Sequence, residues 1–148
     1  MGPATPVRYD VFVSHSTRTR ARAGGVVEDL VSCLRRRKWA VFWDGTCLQS
    51  GDPLMETLEA AIQESRAGLI VLTREAVKSG WVEWEQSIMR PLQLQRRLAI
   101  LGLRLDADCP RVPGARWDEL IEAGDPVDSR RLCETVVAAL RKCQSLVR

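Results

Sequence analysis

The run Gly68-Leu69-Ile70-Val71-Leu72-Thr73 constrains the fold more than any other stretch of the chain. It is apolar with no polar alternate, so as a strand it must be covered on both faces. That is the situation of a central strand in a parallel sheet flanked by helices. The neighbouring runs agree. Tyr9 to Ser14 and Trp39 to Trp43 are β-branched and aromatic, predicting two further strands, and Leu98 to Leu105 predicts a fourth. Trp117 to Ile121 is compatible with a short edge strand or a helical turn. Helical spacing appears in Val26, Val27, Leu30, Val31 and Leu34, and again in Leu54, Leu58, Ala61 and Ile62. A third helix is predicted from Trp81 to about Gln95, and a last one, capped by Ser129, with Leu132, Val136, Val137 and Leu140 inward. His15 to Gly25, Asp44 to Pro53 and Asp106 to Ala115 read as loops. Strands alternating with helices predict an α/β fold: a flavodoxin-like, doubly wound, mostly parallel sheet of about five strands.

At 148 residues the chain is read as one domain, 1–148, with 1–7 as a disordered tail. The net charge of +3 is too small for an electrostatic footprint directed at nucleic acid or a membrane. Arg18-Thr19-Arg20-Ala21-Arg22 is read as part of a loop, and Arg35-Arg36-Arg37-Lys38 as the solvated end of a helix, where cations suit the dipole; the sharper alternative is a phosphate-contacting patch. Cys33, Cys47, Cys109, Cys133 and Cys143 are odd in number and without CxxC spacing. With one histidine in the chain, they argue against a metal site and read as free thiols in a reducing compartment. Met1 to Val7 carries no apolar signal region and no apolar run is long enough to cross a bilayer, so a cytoplasmic location is expected. The Met1 start suggests that nothing precedes the domain.

Sheets of this kind bind ligands outside the carboxyl ends of their strands, near a switch in strand order. The loop after Ser14, the loop after Asp44 and the start of the Trp81 helix would converge there. No GxGxxG or phosphate-loop pattern follows the first strand, which argues against a dinucleotide fold or an NTPase. A phosphoacceptor receiver would need clustered aspartates at strand ends, and Asp10 stands alone. Ser14 and His15 point to opposite faces of a strand, poorly placed as nucleophile and base. What remains is Ser79-Gly80-Trp81-Val82-Glu83-Trp84-Glu85. Ser79-Gly80 reads as a helix start, and Trp81 and Glu85, four apart, share a face, while Glu83 points elsewhere. On these residues alone the bland reading is favoured: an amphipathic helix with one Trp in the core and its acids in solvent. The sharper reading is an indole that stacks a flat ring beside a carboxylate that steadies a cation. One carboxylate can support departure of a good cationic leaving group from a sugar, and the nicotinamide of NAD⁺ is such a group.

Several motifs, in order along the whole chain, resemble Toll/interleukin-1 receptor (TIR) domains of the prokaryotic NAD-cleaving type. Tyr9-Asp10-Val11-Phe12-Val13-Ser14-His15-Ser16 is similar to the family's first strand motif. Phe42-Trp43-Asp44 with Leu48-Gln49-Ser50-Gly51-Asp52-Pro53 resembles its second strand and BB loop, and Ala60 to Arg66 its next helix. Ser79, Trp81 and Glu85 match a third motif. The resemblance implies that Glu85 is catalytic, that Trp81 belongs to the nicotinamide pocket, and that Ser14, His15, Ser16 and Asp44 contact substrate. It implies assembly through Leu48, Gly51, Asp52 and Pro53 in homotypic TIR–TIR contacts, and NAD⁺ as substrate with no cofactor or metal. It also implies a defence effector that depletes NAD⁺ once assembled. The chain ends just after its last helix, so a sensor domain following in a longer parent chain is an expectation, and the small net charge predicts no direct contact with nucleic acid or membrane. The chain departs from the family where Thr17-Arg18-Thr19-Arg20 replaces an acidic position after the first motif, and where Val82 replaces a common cysteine. Two other readings share the resemblance: a non-catalytic scaffold or adaptor working through TIR–TIR contacts, and a pathogen mimic of a host adaptor.

Overall fold

The computed structural model describes residues 6–14, 17–43, 54–78, 80–110, 112, 114–124 and 126–147, and for 17–24, 54, 55 and 81 the backbone alone. Five strands form one parallel sheet: β1 (Val11–Val13), β2 (Val41–Phe42), β3 (Ala67–Leu72), β4 (Ala99–Arg104) and β5 (Glu119–Glu122). Their spatial order is β2-β1-β3-β4-β5, the flavodoxin-like order, with β3 at the centre. All six residues of β3 are buried, so the apolar run sits where its composition requires. The helices are α1 (Thr17–Arg36), α2 (Leu54–Gln63), the short α3 (Arg74–Lys78), α4 (Trp81–Leu94) and α5 (Ser129–Cys143), followed by one 3₁₀ turn.

Strand alternation divides the core in two. Val11, Val13, Leu69, Val71, Leu101 and Leu103 face α1 and α5, which present Val27, Leu30, Val31 and Leu34, and Leu132, Val136, Val137 and Leu140. Phe12, Ile70, Leu72 and Ile100 face α2 and α4, which present Leu58, Ala61 and Ile62, and Val82, Met89 and Leu92. Each fully buried aliphatic side chain contributes about 1.5–3 kcal/mol. Two such layers hold the sheet edges fixed relative to the helix starts.

Several expectations are corrected. The stretch His15 to Gly25 is helical from Thr17 onward. Gly24-Gly25 costs about 1 kcal/mol per glycine in a helix, and the buried stripe from Val27 to Leu34 outweighs it. The segment after β3 contains α3, whose Ala76 N–H donates to the Thr73 hydroxyl at 3.1 Å. The cap of α5 is Asp128, which accepts from the N–H groups of Arg130 and Arg131, and Ser129 is the first helical residue. A carboxylate reaches both orphan amides and also suits the helix dipole. Trp117 to Ile121 resolves into β5, shifted to Glu119–Glu122 and parallel to β4. The strands predicted at Tyr9 to Ser14 and Trp39 to Trp43 are trimmed to Val11–Val13 and Val41–Phe42. Cys33 and Cys133 are joined in a disulfide between α1 and α5, not free thiols. Their separation of 100 residues leaves no local spacing signal, and only the packing of the two helices brings them together. Cys109 and Cys143 are free and buried, and Cys47 lies outside the described residues. No helix among the described residues is long and apolar enough to cross a membrane.

Candidate active site at the carboxyl edge of the sheet

β1 and β3 are neighbours, and the chain leaves them in opposite directions, toward β2 and toward β4. The switch point therefore lies outside the ends of these two strands. Ser14 closes β1. Its N–H donates to the Leu69 carbonyl at 2.8 Å, continuing the parallel ladder. The next ladder bond would run from Val71 N–H to the Ser14 carbonyl. Instead Val71 N–H donates to the Ser14 hydroxyl at 2.9 Å. The side chain thus ends strand pairing and frees the backbone to turn into α1. Ser14 is almost wholly buried, and its hydroxyl keeps one hydrogen to donate.

At the end of β3, Thr73 caps α3, and Arg74 N–H donates to Asp106 at 3.0 Å. The Arg74 guanidinium also donates to Asp108 at 3.1 Å. These contacts tie the segment after β4 to the same edge. Beside it opens a cavity of about 490 Å³ lined by Leu72, Arg104, Cys109, Val112 and Trp117, among others. That volume is in the range of small-molecule sites. Burial, with the neighbouring Asp106, pushes the Cys109 thiol above its ordinary range.

α4 starts at the same edge. Gly80 is its N-cap, with φ of 80°, a left-handed conformation that glycine adopts without strain. The helix then presents Val82, Glu85, Gln86, Met89 and Leu92 inward, spacings of three and four. Met89 crosses β3 at Gly68, where a Cβ on the glycine would lie 2.6 Å from the Met89 sulfur. This contact fixes how close α4 lies to the sheet. Since α4 leads from the end of β3 back to the start of β4, Glu85, one turn before Met89, lies nearer the carboxyl edge. Its side chain has no solvent exposure (0%), whereas Glu83 is exposed. Trp84 is half-buried against the second core layer. The bland expectation of acids in solvent therefore holds for Glu83 and fails for Glu85.

A carboxylate stripped of water interacts strongly with any cationic centre that reaches it, because no solvent competes. Gln86 lies next to it, 8% exposed, and its side-chain nitrogen has no hydrogen-bond partner among the described residues. Sequence reasoning passed over Gln86 and Thr73. The signal for Gln86 was present in the stripe running from Val82 through Glu85 to Met89 and Leu92. Of the other predicted site residues, Trp81 opens α4 with its backbone described. His15, Ser16, Asp44, Leu48, Gly51, Asp52, Pro53 and Ser79 lie outside the described residues. Ser14 and Glu85 are thus the two predicted site residues whose side chains can be placed. Ser14 continues β1 on the side of Phe12, the face on which α4 packs.

Comparison with known proteins agrees with this architecture. A family model described as TIR domain matches residues 11–141. A 2′ cyclic ADP-D-ribose synthase of Bacteroides thetaiotaomicron is 26% identical over 101 residues, covering 68% of this chain and 34% of the relative. An NAD(+) hydrolase of Paracoccus denitrificans is 30% identical over 95 residues, covering 64% of this chain and 31% of the relative. The chain spans about a third of the length of the curated relatives it matches. Among solved structures, the TIR domain of the Toll-related receptor TRR-2 from Hydra magnipapillata superposes with a TM-score of 0.58 at 17% identity, covering 90% of this chain and 98% of that one. A metazoan TIR-STING receptor from C. gigas gives a TM-score of 0.60 at 15% identity over 91% of this chain and 40% of that one. At these identities the structural likeness concerns the fold.

Proposed function

The chain belongs to the TIR domain family, and we propose that it cleaves the nicotinamide–ribose bond of NAD⁺ with Glu85 as its catalytic carboxylate. The observation that carries this reading is the full burial of Glu85 on the inward face of α4, one turn from the Trp81 position that opens the helix. A helix that needed only packing would place an apolar residue there, as it does at Val82 and Met89. Relatives named as NAD(+) hydrolase and as 2′ cyclic ADP-D-ribose synthase support the substrate.

In the proposed reaction the bond between C1′ of the ribose and the pyridinium nitrogen breaks, and its electron pair leaves with nicotinamide. The leaving group departs neutral, so no strong acid is required. Positive charge develops at C1′ and the ring oxygen, and the desolvated Glu85 carboxylate stabilises it. Capture by water, with loss of a proton to solvent, gives ADP-ribose. Capture by a hydroxyl of the same molecule gives a cyclic product. Trp81 stacks the nicotinamide ring, and Ser14, His15, Ser16 and Asp44 line the pocket, Ser14 through its remaining hydroxyl hydrogen. NAD⁺ is substrate, with no cofactor. The wider role we propose is that of a cytoplasmic, anti-phage effector switched on by self-assembly and governed by a sensor domain. Leu48, Gly51, Asp52 and Pro53 would make the head-to-tail contacts, which as heterologous contacts give filaments.

The test is incubation of concentrated protein with NAD⁺ and chromatographic resolution of the products. Release of nicotinamide with linear or cyclic ADP-ribose supports the reading. No turnover by assembled protein favours the scaffold reading. Gly51→Arg tests assembly: it should lower light scattering and turnover together, and full activity in a strictly monomeric variant would count against the filament.

A further inference from the structure

A second cavity, of about 530 Å³, lies on the opposite side of the sheet, in the groove between α1 and α5. It differs from the site above in charge and in chemistry. Arg36, Arg37 and Arg130 line it against one acid, Asp29. Glu134 draws on two of the cations, at 3.9 Å from Arg37 and 3.8 Å from Arg130, while Arg36 has no ion-pair partner among the described residues. The groove keeps a positive balance. Cys33 also lines it, partly exposed, and its disulfide partner Cys133 is wholly buried beneath. The two sulfurs of the bond are therefore unequal: one opens into a cationic groove and the other is closed off.

We propose that this groove is a thiol-exchange site, in which a small anionic thiol attacks Cys33 and forms a mixed disulfide there. Exchange requires the attacking sulfur to approach along the S–S axis at an accessible sulfur, which selects Cys33. The thiolate forms a bond to the Cys33 sulfur, and the Cys33–Cys133 bond breaks with its electron pair on Cys133, which ends as a thiol carrying the proton that the small thiol gave up on ionising. A second small thiol then attacks the mixed disulfide, releasing Cys33 as a thiol and leaving as the oxidised small-molecule disulfide. Two electrons pass from two small thiols to the protein. The cations act on the first step by raising the local concentration of a negatively charged thiol, an effect that salt screens. The cavity volume suits a ligand of tripeptide size.

The experiment compares glutathione, net negative, with cysteamine, net positive, as attacking thiols on the oxidised protein. Each rate is divided by that thiol's rate on a small uncharged disulfide, which removes intrinsic reactivity. Acid quenching and peptide mass mapping locate the adduct. At low salt the normalised rate should favour glutathione by about threefold or more, and the preference should fall toward one near 1 M salt. Adducts should map to Cys33. Arg36→Gln with Arg130→Gln should reduce the preference; the salt series on unaltered protein makes the same test without a variant. A ratio at or below one at low salt, adducts on Cys133, or protein whose Cys33 and Cys133 are both alkylated without prior reduction would overturn the proposal.

Discussion

Gly68→Ala tests whether Met89 sets the height of α4 above the sheet. An added Cβ would meet the Met89 Sδ at 2.6 Å and its Cε at 2.7 Å. Favourable contact between such atoms needs about 3.5–4.0 Å, so either the methionine end must swing away or the helix must lift by roughly 1 Å. Overpacking of this kind costs about 1–3 kcal/mol. The thioether is flexible, which places the cost in the lower half of that range. Alanine also regains about 0.5–1 kcal/mol of the backbone entropy that glycine gives up in a strand. The net loss should be about 1 kcal/mol, read by urea denaturation. In a Met89→Ala background, which itself costs about 2–5 kcal/mol, the clash is absent and Gly68→Ala should be neutral or stabilising. The coupling between the two substitutions, about 1–2 kcal/mol, is the quantity of interest. Because Glu85 is one turn along the same helix face, turnover of NAD⁺ should fall with Gly68→Ala beyond what lost stability explains. Equal cost of Gly68→Ala in both backgrounds would refute the reasoning, since the sulfur would then not be what limits the approach.

Three further outcomes follow from the same geometry. Ser14→Ala leaves the buried Val71 N–H without its acceptor and should cost about 1–3 kcal/mol by denaturant melts, with Ser14→Thr restoring most of it. Burial, helped by Asp118 and Glu119, pushes the Cys143 thiol up to about 11; its stability contribution is complete below the unfolded thiol value of about 8.5 and is lost as pH rises toward 11. Melting temperature should therefore decline above about pH 8.5, and unchanged stability up to pH 11 would contradict this. Trp84→Ala, which opens the second core layer, should act chiefly on melting temperature, and Trp81→Ala chiefly on substrate use, with Trp81→Phe intermediate; equal kinetic loss from Trp81→Ala and Trp84→Ala without a change in melting would contradict the assignment.

The sheet was legible in the sequence because its signals are local. An unbroken apolar run such as Gly68 to Leu72 must be central, and period-four stripes such as Leu132 to Leu140 must be helices over it. The start of α1 was not legible, because Arg, Thr and Ala between Thr17 and Ala23 are acceptable helix formers with no apolar stripe to declare them. The Asp128 cap was missed because Ser129 beside it has equal propensity, and only geometry decides between adjacent residues. The Cys33–Cys133 bond depends on how two helices 100 residues apart pack. The candidate site was half legible. Trp81 and Glu85 stood out by type and spacing, but whether Glu85 faced water or the core required the register of α4 against Gly68. For the segment from Asp44 to Pro53, the sequence remains the whole of the argument.

The central claim is that Glu85 acts by its charge. Glu85→Gln keeps the volume and the helix propensity of the side chain and removes the carboxylate. Melting curves and assembly by light scattering should stay close to those of the unaltered protein. Release of nicotinamide should fall by about a hundredfold or more, the usual cost of removing one preorganised electrostatic contact. Glu83→Gln removes the same charge from the exposed side of the same turn and should retain most activity. The decisive measurement is nicotinamide release from NAD⁺ by the three proteins side by side at matched assembly. A large loss confined to Glu85→Gln is the predicted result; a Glu85→Gln protein that cleaves NAD⁺ at a rate comparable to the unaltered protein would contradict the account.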